Sequence, residues 1–242
     1  MRGWSEGFGP TSFFHGKIAV TLVHMYLVIA YIINLVVCLL ASISIYFQRE
    51  DDVYLKFFPP FLFITLLMDG ISLLGLLKGN TNNAVYNFFN VFEFAFYFVI
   101  LGKIIKNNRV KMLIRFVIIL YPILALANII FIQKIYGFPA LNLAIGCLLI
   151  VTICIYYFFE LFQLPHSVAL TRQPGFWICS GLLFFYSCSF PLIAPINLIK
   201  ALPPFVLKNF VTIINILNVL LYSSFTIAFL CRLRTRNSTS LS

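Results

Sequence analysis

Charge is what this sequence has least of. Asp, Glu, Lys and Arg together make up 10% of its residues, where a soluble domain carries about 25%. So few charges cannot cover a hydrated surface, and an ordinary water-soluble globule is excluded. Histidine is nearly absent too. The chain has three, and only His24 lies near an apolar run, so a di-haem carrier or an intramembrane metal hydrolase lacks its ligands. The six cysteines (Cys38, Cys147, Cys154, Cys179, Cys188 and Cys231) lie in or beside apolar runs, and no Cys-x-x-Cys step occurs among them. Neither a disulfide framework nor a zinc site follows from that spacing, and small buried apolar side chains do. Walker and His-Glu-x-x-His motifs are missing, as is any serine–histidine pair at nucleophile spacing. A Schiff-base lysine midway along the last span is also lacking, since Lys208 stands near its start. These absences point to a chain that is not an enzyme and carries no cofactor or metal.

What the sequence has in abundance is apolar length. Hydrophobic residues make up 62% of the chain and the mean hydropathy is +1.00. The runs are long enough to cross about 30 Å of hydrocarbon, which takes about 20 helical residues. Seven spans are expected, at 22–47, 57–78, 84–106, 112–133, 138–163, 175–199 and 205–231. Prolines near their starts (Pro59-Pro60, Pro139, Pro174, Pro203-Pro204) suit the first turn of a helix. Short connections such as "KGNTNN" and "KIYGFP" leave no room for a soluble domain. The fold class is therefore an all-α polytopic membrane protein, a seven-transmembrane-helix bundle. Residues 1–21 are expected as an extracytoplasmic segment, 22–231 as the membrane domain and 232–242 as a polar cytoplasmic tail. The run Ile18–Phe47 is too long for the core of a cleaved signal peptide, and a start at Met25 would still leave about 22 apolar residues for a span.

The net charge of +10 does not signal nucleic acid, because its 17 Lys and Arg are scattered in short clusters between apolar spans. With the N-terminus outside, eleven of them fall on the inner side and six on the outer. That bias predicts an N-out, C-in orientation in a cell membrane. The densest inner cluster is "KIIKNNRVKMLIR", with Lys103, Lys106, Arg109, Lys111 and Arg115. It marks contact with anionic lipid headgroups or with an acidic cytoplasmic partner.

Within the spans, polar residues recur at three- and four-residue steps, which share a helix face. The third span carries Asn87, Asn90, Glu93 and Tyr97, and the second carries Thr65, Asp69 and Ser72. The seventh carries Lys208, Thr212, Asn215, Asn218, Tyr222 and Thr226, and the fifth Asn142, Gly146, Tyr157 and Glu160. Asp69 and Glu93 are expected at one depth, about 13 Å below the outer surface at 1.5 Å per residue. Two carboxylates side by side in a low dielectric are not both charged unless partnered. One is expected to hold its proton, or to be paired with a cation or with amide donors. Asn215, Asn218 and Tyr222 are the nearest candidates, and Lys208 reaches down from above. Amides and hydroxyls serve as interhelical glue, whereas ionisable groups in a span mark a ligand cavity, ion path or proton relay. Glu160, close to the inner interface, is easily solvated. Pro191 and Pro195 in "FYSCSFPLIAPINLI" are expected to kink the sixth span. Setting the third span against the seventh places Glu93 opposite Asn215, the weak trace of a parallel three-helix repeat relating spans 1–3 to 5–7.

The runs "YNFFNVFEFAFYFVILGKIIKNN" and "YYFFELFQLPHSVALTRQPGFWICSGLLFFYSCSFP" resemble an uncharacterised family of small seven-span membrane proteins of Bacteroidota-type bacteria. The resemblance lies in a Tyr-Asn opening of the third span, its Phe-Glu-Phe core, the aromatic end of the fifth span and Pro-x-Phe-Trp opening the sixth. It implies a bacterial inner membrane and association with sensor histidine kinases, and no substrate. Three readings of function follow. The first is a sensor or signal-coupling subunit whose ligand or proton reaches Asp69, Glu93 and Asn215 from outside and whose basic inner side meets a cytoplasmic partner such as a sensor kinase. The second is a small-solute or proton-coupled transporter using the same cavity. The third is a structural subunit of a membrane complex.

Overall fold

The computed structural model describes residues 10–46, 53–75, 80–132, 135, 137, 139–163, 170–194 and 204–239. Seven α-helices run through them: α1 Pro10–Tyr46, α2 Phe58–Leu73, α3 Asn80–Ile104, α4 Asn108–Phe131, α5 Ala140–Phe162, α6 Pro174–Ile193 and α7 Pro204–Thr239. Each contains or adjoins a stretch long and apolar enough to cross a membrane, from Met25–Ile45 in the first to Asn209–Leu233 in the last. A 3-10 turn over Val53–Phe57 lengthens the second such stretch to Val53–Leu73. Large apolar side chains such as Ile33, Val37, Leu40, Ile119, Ile123, Leu124 and Phe159 point out of the bundle. In water that surface would be prohibitive. In lipid it is the surface required, because tails solvate it and the helical backbone satisfies its own hydrogen bonds.

The helix ends follow the local chemistry. Pro59 and Pro60 occupy the first turn of α2, where their missing N–H and fixed φ are tolerated. Gly75, at φ 64°, ends the chain segment after α2 in the left-handed region that suits glycine. The Asn107 side chain accepts the backbone N–H of Arg109 and caps α4. Two helix bounds differ from expectation. Helix α1 starts at Pro10 rather than near residue 22, with proline again in the first turn, and α7 continues to Thr239. Residues 1–9 of the expected N-terminal segment and 240–242 of the tail lie outside the described residues, as does Pro195. Pro191 lies inside α6, and Pro122 lies inside α4, where no interruption was expected.

Helices α1 and α2, α3 and α4, α5 and α6, and α6 and α7 pack along each other, α7 returns to lie along α1, and α3 also meets α5. Aromatic side chains complete the centre. Phe61 of α2 stacks on Phe96 of α3 with ring centroids 3.8 Å apart. Phe58 meets Phe225 and Phe229 of α7 edge-on. Tyr97 of α3 faces Tyr186 of α6 and Phe225, and Phe94 and Phe98 face Tyr121 of α4. Lipid tails are as apolar as these rings, so close packing and ring geometry hold the bundle rather than expulsion from water. The polar clamp Asn34 Nδ2 to Val219 O and Ser223 Oγ ties α1 to α7. This arrangement does not follow the parallel repeat. Helices α6 and α7 lie closely along each other, whereas α2 and α3, their counterparts under that repeat, meet mainly through aromatic side chains.

Where helices approach most closely, glycine makes room. A Cβ on Gly181 of α6 would fall 2.8 Å from the Ser224 Cβ of α7. Gly181→Val is expected to cost about 1–3 kcal/mol through overpacking, read as easier unfolding in detergent. Adding Ser224→Gly should recover much of that loss, and a double variant no more stable than Gly181→Val alone would show that the contact is not the cause.

Candidate functional site

At the end of the bundle where α1, α3, α5 and α7 begin and α2 and α6 end, the helices do not close. They leave a cavity of about 250 Å³. Among the described residues its lining includes Tyr31 of α1, Asp69 of α2, Asn90 and Glu93 of α3, Ser189 of α6, and Asn218 and Tyr222 of α7. Helix α5 adds Leu143 and Cys147, and aromatic walls come from Phe94, Phe185 and Tyr186. Asp69 and Glu93 are half-buried in the protein, each facing this space.

The two carboxylates are within electrostatic range of one another but are held differently. Asp69 accepts the Tyr31 hydroxyl on Oδ2 and the Tyr86 hydroxyl on Oδ1, the latter at 3.0 Å. One hydroxyl donor on each oxygen is how an ionised carboxylate is satisfied. Glu93 stands on α3 among tyrosines that include Tyr97, Tyr186 and Tyr222. Neither forms an ion pair with a Lys or Arg among the described residues, and the Lys208 side chain lies outside them. The Ser189 hydroxyl is fully buried without a hydrogen-bond partner. Among the described residues no group of three or more His, Cys, Asp and Glu side chains is placed to hold a metal ion.

Of the residues singled out in the sequence, the fold brings Asp69, Asn90, Glu93, Asn218 and Tyr222 to this one cavity. Asn87 and Asn215 stand elsewhere. Asn87 does not line the cavity and donates to the carbonyls of Ile135 and Gly137, at 2.8 and 2.9 Å, pinning the α4–α5 connection. Asn215 is buried with its Nδ2 unpartnered and does not line the space. The donors to Asp69 are tyrosines of α1 and α3 rather than the amides of α7. Thr65 and Thr226 bond to carbonyls four residues back in their own helices, and the Thr226 hydroxyl also meets the Cys38 thiol of α1. The asparagines of α4 and α5 do join helices: Asn128 donates to Asn142 at 2.7 Å, and Asn142 to Ala125 O at 3.0 Å. Sequence reasoning missed Tyr31, Tyr86 and Ser189. Tyr31 and Asn34 are one polar step apart in the first span, a signal that was there to be read.

The opposite end carries the densest cluster of cations among the described residues. Lys103, Lys106, Arg109 and Arg115 are exposed and Lys111 is half-buried, around the α3–α4 connection. Glu160, at the end of α5, accepts the backbone N–H groups of Lys106 and Asn107 at 2.9 and 2.8 Å. It fixes the connection that presents the basic cluster, a role beyond mere solvation. Lys103 Nζ also lies 5.4 Å from the centre of the Phe57 ring, close enough for a cation–π contact.

These placements separate structural from cavity-facing polar groups. Asn87→Ala should lower stability by about 1–3 kcal/mol, since it strips two carbonyls of their donor. Asp69→Asn and Glu93→Gln should leave folded yield in membranes near that of the unaltered protein. Yield measured by fluorescence-detected size exclusion checks both, and a collapse of the carboxylate variants with Asn87→Ala unaffected would reverse the assignment.

The chain matches no protein-family model, no curated protein and no solved structure.

Proposed function

We propose that this chain is a non-enzymatic integral membrane protein of a bacterial inner membrane, a sensor or signal-coupling subunit oriented N-out and C-in. The observation that carries the proposal is a pair of carboxylates, Asp69 and Glu93, facing a cavity of about 250 Å³ at the end of the bundle opposite its basic cluster. Charged groups at membrane depth are costly and are kept where they do something. A small ligand arriving from outside would reach Glu93 of α3. The same helix carries Lys103 in its last turn, ten residues on and about 15 Å away along its axis, beside the loop that Glu160 fixes. A shift of α3 would thus be felt by the basic surface, which suits an acidic cytoplasmic partner such as a sensor kinase. The coupling requires a ligand that binds two conformations unequally.

A proton-coupled transporter is the second reading, favoured by the lack of a cationic partner for either carboxylate among the described residues. Both readings are separated by one pair of measurements. Cross-linking in native membranes followed by purification should recover a cytoplasmic-facing signalling protein, and Lys106→Glu with Arg109→Glu should abolish that recovery. Recovery of no such partner, together with concentrative uptake into proteoliposomes driven by a proton gradient, would replace the sensor by the transporter.

A further inference from the structure

We propose that the cavity binds a small organic ammonium ion, a protonated alkylamine. The proposal rests on the reading of this cavity as a ligand site and names the chemistry of its occupant. Among the described lining residues the only charged groups are Asp69 and Glu93, both acidic. An anionic ligand would meet an acidic lining in a low dielectric with no cation to pair with among the described lining residues. A neutral ligand would leave Glu93 facing the space with no counter-charge, since no ion pair reaches it from the described residues. A cation resolves both.

The walls select which cation. Phe94, Phe185, Tyr186 and Tyr222 present aromatic surface around the carboxylates, and ring faces attract ammonium groups through their quadrupoles while accepting alkyl chains. A bare metal ion needs a shell of several oxygen, nitrogen or sulfur ligands, and no group of three His, Cys, Asp or Glu is assembled among the described residues. The space, about 250 Å³, falls below the about 300 Å³ at which pockets for drug-sized ligands begin. It matches a small metabolite-sized amine.

The hydrogen-bonding groups fit the same occupant. An alkylammonium has N–H donors and no acceptor, so its site must offer oxygen. Ser189 Oγ, 0% exposed and without a partner, lines the cavity with an unused acceptor. The carbonyls of the Asn90 and Asn218 side chains stand on the same lining. Asp69, with a tyrosine hydroxyl on each oxygen, acts as a fixed negative charge, leaving Glu93 to make the direct ion pair.

The test is equilibrium calorimetry on the purified full-length chain in nanodiscs at neutral pH and constant ionic strength. The probes are n-butylamine, benzylamine and 1,4-diaminobutane, each paired with the alcohol of the same skeleton: butan-1-ol, benzyl alcohol and butane-1,4-diol. At least one amine should bind saturably, with its alcohol at least about tenfold weaker. Glu93→Gln should weaken that amine at least about tenfold and leave the alcohol unchanged, and Ser189→Ala should weaken it by a smaller factor. No saturable binding by any of the three amines overturns the proposal. So does an alcohol that binds as tightly as its amine, although the ligand-site reading then stands with a neutral occupant. If Glu93→Gln does not fold, the amine–alcohol comparison in the unaltered protein decides alone. Amine binding with no signalling partner recovered from native membranes would remove the sensor reading and keep this assignment.

Discussion

A carboxylate within a lipid slab can be stabilised only by protein or by what the protein admits, and Glu93 sets that condition at the centre of this bundle. It stands on α3, whose aromatic side chains reach α2, α4, α6 and α7. Four residues before Tyr97 on the same stripe, it cannot turn to lipid without taking that buried tyrosine with it. The aromatic packing on α3 fixes the helix rotation through Phe61–Phe96, Phe94–Tyr186 and Tyr97–Phe225. Once that rotation is set, Glu93 must face the interior, and the helices around it either close on a charge or leave space. They leave space.

The sequence made the architecture legible because lipid imposes so few solutions. Seven apolar runs, each near the length of a bilayer, become seven helices in the expected order, since no other backbone arrangement open to such runs satisfies its own hydrogen bonds. Their boundaries were less legible. Helix α1 runs back to Pro10 because nothing between there and the apolar run forces an end, and hydropathy marks where lipid starts rather than where a helix starts. The packing order was not legible at all. Facing apolar stripes carry little information about which neighbour they meet, and a match such as Glu93 with Asn215 can arise from composition alone.

The site was half legible for a related reason. Three- and four-residue spacing places residues on one side of a helix, but a stripe that is about a third of the circumference wide spans two environments. Asn87 and Glu93 share the α3 stripe, yet Asn87 meets the carbonyls of Ile135 and Gly137 while Glu93 meets the cavity. Asn215 and Asn218 divide the same way on α7. Tyrosines were overlooked because they count as apolar in hydropathy. Tyr31 and Tyr86 nonetheless supply the donors to Asp69, and their rings extend the aromatic wall. A tyrosine can do in lipid what an amide does, at lower desolvation cost, because its one hydroxyl sits at the tip of an apolar body.

That division explains how one bundle holds both rigidity and a responsive site. Three of the amides and Glu160 are spent on fixed points: Asn142 and Asn128 between α4 and α5, Asn87 on the α4–α5 connection, Glu160 on the α3–α4 connection. Each satisfies backbone or amide groups that would otherwise be orphaned, so each resists movement. Glu93 and Ser189 are left without such closure on the cavity side. On the sensor reading proposed above, an ammonium ion beside Glu93 would offset its charge and its repulsion from Asp69, and the inward shift of α3 that this favours would be carried toward Lys103.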